Sequence, residues 1–98
     1  MSLKPDYNQW EEIIALIKES VEQEQHELLL TLLMTPDERE AMLTRVNIVS
    51  ELLKGDLSQR QISQMLGVGV ATITRGSTEL KSKTAEEKAV IEQLVLKP

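Results

Sequence analysis

The residues best suited to chemistry lie close together. Residues 54–83 carry five basic side chains, Lys54, Arg60, Arg75, Lys81 and Lys83, against two acidic ones. They are interleaved with small hydroxyl and methyl groups in the run GVGVATITRGSTEL. Threonine hydroxyls can hydrogen-bond base edges or phosphates, and alanine and threonine methyls can touch the thymine methyl. Arginine and lysine supply the phosphate contacts that hold a protein in register on a duplex. The pattern points to double-stranded DNA. Gly69, Val70, Ala71, Thr72, Thr74 and Thr78 are the base-facing candidates, with Gln59, Arg60 and Ser63 on the preceding segment. Lys81, together with Lys54 and Lys83, is a candidate phosphate contact.

The overall net charge of −5 argues against such a partner. The charge is unevenly placed, however: residues 1–53 sum to −7, residues 54–83 to +3 and residues 84–98 to −1. The local field, not the total, steers a charged partner. Other chemistries find little support. There is no cysteine, and the single His26 has no second histidine to complete a metal pair. No nucleophile–base set or phosphate-binding loop is present, so the chain does not read as an enzyme and implies no cofactor of its own. The N-terminus MSLKPDYNQW lacks a secretory pattern, and the apolar runs are too short to span a bilayer. A cytoplasmic protein without membrane contact is expected.

A DNA-reading segment needs two short helices held at a fixed angle across a tight turn. Ser58 and Gln61 form a capping box, and Leu57 before the cap can staple onto Ile62. Gly67 suits a left-handed turn position after Leu66. Ile73 then falls where it can pack back on Ile62 and Leu66, and Ser63 is small enough to let the second helix approach. This predicts a helix-turn-helix over about residues 58–80. Taken alone, a glycine-containing turn is equally a plain helical hairpin. The added cap, isoleucine spacing and local positive charge favour the DNA reading.

The rest of the chain is punctuated for helices. Apolar residues Trp10, Ile13, Ile14, Ile17 and Val21 mark one face of a first helix starting near Asp6. A short second helix, Leu28 to Met34, is apolar on nearly all sides and would have to be buried all round. Ninety-eight residues give one domain, 1–98, with little core to bury it in. A second copy of the chain is the economical solution. Thr35-Pro36-Asp37-Glu38 is a strong helix start, with Thr as cap, Pro in the first turn and Glu three residues on. That helix ends at Lys54-Gly55, and a last one begins at Thr84 with Glu87 completing its box. The expected fold class is all-α with about six helices.

The segment LLTLLMTPDEREAMLTRVNIVSELLKGDLSQRQI, followed by MLGVGVATITRGSTELK, is similar to the bacterial tryptophan repressor family, strongly over about residues 24–83. The resemblance implies an intertwined homodimer that binds L-tryptophan as corepressor and then a palindromic operator. It implies that Arg45 and Arg75 sandwich the indole. Backbone carbonyls near Leu32, Met34 and Thr35 of the other chain would receive the ammonium, and Gly76 would leave room beside the ring. Glu79 stands where the family commonly has serine near that ammonium. Ser63 stands where a lysine often faces DNA, and Asn47 replaces a common basic residue. On the residues alone, Arg45 reads as an exposed surface arginine and Arg75 as a phosphate contact. Two other readings remain open at this level: a helix-turn-helix regulator that binds DNA without tryptophan, and a helical protein-interaction module.

Overall fold

A computed structural model describes residues 3–97. Its elements are α1 (Trp10–Glu22), α2 (His26–Leu33), α3 (Pro36–Lys54), α4 (Gln59–Leu66), α5 (Val70–Lys81) and α6 (Ala85–Val95). The described residues contain no strand, and the fold class is all-α with six helices. The chain divides into two compact units, Met1–Arg39 and Glu40–Pro98.

In the first unit, α1 begins at Trp10 rather than near Asp6. The Glu12 carboxylate decides this. It accepts the backbone N–H groups of Asn8 and Gln9, both at 3.0 Å, and so fixes Gln9 as the extended residue before the helix. These are donors that a helix start otherwise leaves orphaned. Between α1 and α2 the chain turns at Glu24, whose φ of 58° is the described residues' one positive value outside glycine.

Helix α2 stops at Leu33, and Met34, expected inside it, is the extended residue that ends it. Pro36 explains the early stop. It disfavours helical geometry in Thr35 before it, and it has no N–H to offer the Leu32 carbonyl. The Arg39 side chain serves this helix end instead. Its Nη1 donates to the Thr31 carbonyl at 3.2 Å and the Met34 carbonyl at 2.7 Å. Five of the eight α2 residues are leucine, yet none of the helix is buried; Leu32 is 79% exposed and Leu28 68%.

Helix α3 starts at the expected cap. The Thr35 hydroxyl accepts the Glu38 N–H at 3.2 Å, and Glu38 returns by accepting the Thr35 N–H at 2.8 Å. In the second unit one isoleucine from each of three helices forms the core: Ile48 of α3, Ile62 of α4 and Ile73 of α5. Leu52, Leu57, Leu66 and Val68 pack around them. Each fully buried side chain of this size contributes roughly 1.5–3 kcal/mol over its exposed state. The capping boxes at Ser58–Gln61 and Thr84–Glu87 both form as their spacing predicts.

Candidate DNA-reading face and ligand pocket

Helices α4 and α5 pack on each other across a turn at Gly67, which takes φ 67° and ψ 34°. A residue with a Cβ adopts that conformation only at a cost. The Ser63 hydroxyl donates to the Val68 carbonyl and holds the turn from inside. Ser63 is therefore half-buried and engaged within the chain. With Ile62 and Ile73 fully buried beneath the turn, the angle between the two helices is set by packing.

The opposite side of α5 faces solvent. Gly69, Val70, Ala71, Thr74, Thr78 and Lys81 are exposed, as is Arg60 on α4. The Thr74 hydroxyl lies 2.9 Å from the Gln59 Oε1 and 3.1 Å from the Val70 carbonyl, so one donor serves two acceptors in turn. Its link to Gln59 ties the outer face of α5 to the start of α4. Thr78 donates to the Thr74 carbonyl at 3.0 Å. Thr72 and Gln59 are half-buried.

The inner flank of α5 lines a pocket of about 420 Å³ in the second unit. This falls within the roughly 300–1,000 Å³ of small-molecule sites, which pair apolar walls with a few polar groups. Ile48 and Val49 of α3, Leu80 of α5 and Ile91 of α6 supply the apolar wall. Arg45, Arg75, Lys83 and Glu79 supply the charge. Gly76 lines it too, and its lack of a side chain has a packing reason. A Cβ there would lie 2.9 Å from the Ile48 Cγ2, so the glycine is what lets α5 close on α3.

The structure thus brings together Arg45, Arg75, Gly76 and Glu79. Leu32, Met34 and Thr35 belong to the first unit and are not among the pocket's lining. Lys83 and Thr72 are pocket residues that the sequence reading placed on DNA. The spacing 72, 76, 79, 80 along one face of α5 was a signal for Thr72, whereas Lys83 lies beyond the end of that helix. Among the described residues no helix is long and apolar enough to cross a membrane.

The family model described as Trp repressor protein matches residues 8–95. A Trp operon repressor homolog of Vibrio vulnificus is 68% identical over 95 residues, covering 97% of this chain and 93% of the relative. One from Vibrio cholerae is 63% identical over 98 residues, covering 100% of this chain and 95% of its own. One from Vibrio atlanticus is 62% identical over 97 residues, covering 99% of each.

Proposed function

The chain belongs to the Trp repressor family, helix-turn-helix DNA-binding repressors rather than enzymes, and on that premise we propose that it is an L-tryptophan-dependent repressor that binds palindromic operator DNA as a homodimer. One observation carries the reading. Helix α5 presents small residues to solvent on one side and lines a charged pocket with the other. A ligand in the pocket then biases the helix that meets DNA.

Arg45 and Arg75 stack on the two faces of the indole, a task suited to planar guanidinium groups. The ligand ammonium is received by carbonyls near Leu32, Met34 and Thr35 of the partner subunit. The Leu32 carbonyl is suited to this because Pro36 gives it no N–H. Val70, Ala71, Thr72, Thr74 and Thr78, following Gly69, approach base edges. Gln59, Arg60, Lys81 and the Ser63 turn set their register on the phosphates. The one helical domain, 1–98, acts in the cytoplasm on duplex DNA.

The homodimer is supported by the chain's own surface. Among the described residues only Ile48, Ile62 and Ile73 are buried apolar side chains, while Leu28, Leu32 and Leu33 of α2 and Leu94 of α6 stand open. The cleft of about 360 Å³ between α1 and α2, walled by Leu16, Leu28, Leu29 and Leu32, is a further unfilled apolar surface. A partner chain would bury what one chain cannot. In the dimer two α5 helices enter successive major grooves about 34 Å apart, a separation general to dimeric helix-turn-helix proteins, this family among them. Tryptophan and DNA then strengthen each other's binding equally, as linkage requires.

Calorimetric titration with L-tryptophan, with L-phenylalanine as control, tests the corepressor role. The expected result is saturation at one tryptophan per chain. Absence of binding across the millimolar range would remove tryptophan from the account.

A further inference from the structure

Thr74 of α5 and Gln59 of α4 stand 15 residues apart in the chain, yet the Thr74 Oγ1 lies 2.9 Å from the Gln59 Oε1. A threonine hydroxyl has one proton to donate. Its neighbours, Gln59 Oε1 and the Val70 carbonyl at 3.1 Å, are both acceptors, so that proton is used inside the chain. None is left for a phosphate oxygen, which can only accept. The glutamine amide stands the other way. Its oxygen is engaged by Thr74, while Nε2 carries two N–H donors that Thr74 does not use. Gln59 is half-buried, which limits how the amide can turn.

We infer that Thr74 is a positioning residue, which holds the Gln59 amide by its oxygen so that the Nε2 donors meet a DNA phosphate. This deepens the DNA binding proposed above and rests on it. Gln59 opens α4, directly before Arg60. In helix-turn-helix proteins, this family among them, the first helix crosses the DNA backbone, where the available groups are acceptors. The reverse orientation of the amide would set its oxygen against phosphate oxygens, acceptor against acceptor. Thr74 excludes that orientation when its proton goes to Oε1. Phosphates carry no sequence information. Thr74 stands on the reading helix among residues turned toward the bases, but it contributes through Gln59, and alike on every sequence.

The test takes the full-length chain and its Gln59→Ala, Thr74→Val, Thr74→Ser and Gln59→Ala/Thr74→Val variants. Each is titrated, with L-tryptophan present, against a duplex enriched from a randomised pool by the wild-type chain and against single-base-pair variants of it. Thr74 is exposed and outside the isoleucine core, and circular dichroism melts verify that the variants fold. Gln59→Ala and Thr74→Val are each expected to weaken binding by about tenfold per half-site, the scale of a hydrogen bond to a charged group. The factor is the same on every duplex. The double variant loses no more than Gln59→Ala alone, because the two residues act as one unit. Thr74→Ser keeps the hydroxyl and binds like the parent. Losses that multiply in the double variant, a Thr74→Val loss that depends on the base at one position, or no loss in Thr74→Val overturns the positioning role and leaves the DNA reading standing. Failure of the wild-type chain to enrich any duplex overturns that reading, and the inference with it.

Discussion

Gly76 of α5 lies so close to Ile48 of α3 that a Cβ on the glycine would sit 2.9 Å from the isoleucine Cγ2. That methyl belongs to a side chain only 2% exposed, so it has little room to yield. Gly76→Ala is expected to lower stability. Overpacking of this kind costs about 1–3 kcal/mol, against a gain of about 1 kcal/mol in helix propensity. Urea unfolding reads the difference. Adding Ile48→Ala should recover part of the loss due to the contact, so the two substitutions will be non-additive. A Gly76→Ala variant as stable as the parent would show that α5 does not pack here as described.

Two cap carboxylates give the chain an acid-sensitive component. The Thr35 backbone N–H, and then the Thr35 hydroxyl contact, hold Glu38 below its ordinary carboxylate range. The Thr84 backbone N–H does the same for Glu87, helped less by the Thr84 side chain and by Lys83, and opposed by slight desolvation. A lowered folded value means stability that is full above the ordinary carboxylate range and lost as pH falls through the folded values. Glutamine can still complete a capping box but does not titrate. The double variant Glu38→Gln/Glu87→Gln should therefore lose stability less steeply than the parent on acidification. Thermal melts between neutral and acid pH measure it, and parallel curves would contradict the assignment.

The helix starts and stops were legible because they are local chemistry. Thr35, Ser58 and Thr84 each name their cap partner three residues on, and all three boxes form. The start of α1 is not legible in the same way, because its Glu12 carboxylate caps backbone groups with no threonine, serine or aspartate at the cap. The end of α2 was set by Pro36 and by Arg39, whose reach back to Met34 spans five residues and leaves no pattern. Core residues Ile62 and Ile73 were readable from spacing, while Ile48 was not, because it belongs to a helix fourteen residues earlier. The pocket shows the same limit. Arg45 and Arg75 came from resemblance; Lys83 and Thr72 emerged only once α5 was seen to line a cavity as well as face solvent.

The exposed leucines predict concentration-dependent stability. Leu32 at 79% and Leu94 at 80% exposure are unsuited to a chain standing alone in water. If two chains bury such residues together, the thermal midpoint rises with protein concentration, because folding and association are one equilibrium. Sedimentation equilibrium should give twice the mass of the 11.1 kDa chain. Leu32→Glu should lower both the midpoint and the dimer fraction. A monomer whose midpoint ignores concentration would contradict the dimer.

The most direct measurement of the central claim is selection from a randomised duplex pool, with and without L-tryptophan, followed by titration of the enriched duplex across salt concentrations. The account predicts a two-fold symmetric site, enriched only with tryptophan present, whose affinity falls as salt rises because basic residues release counterions from the phosphates. Enrichment of the same site to the same degree without tryptophan would contradict the coupling between the pocket and α5.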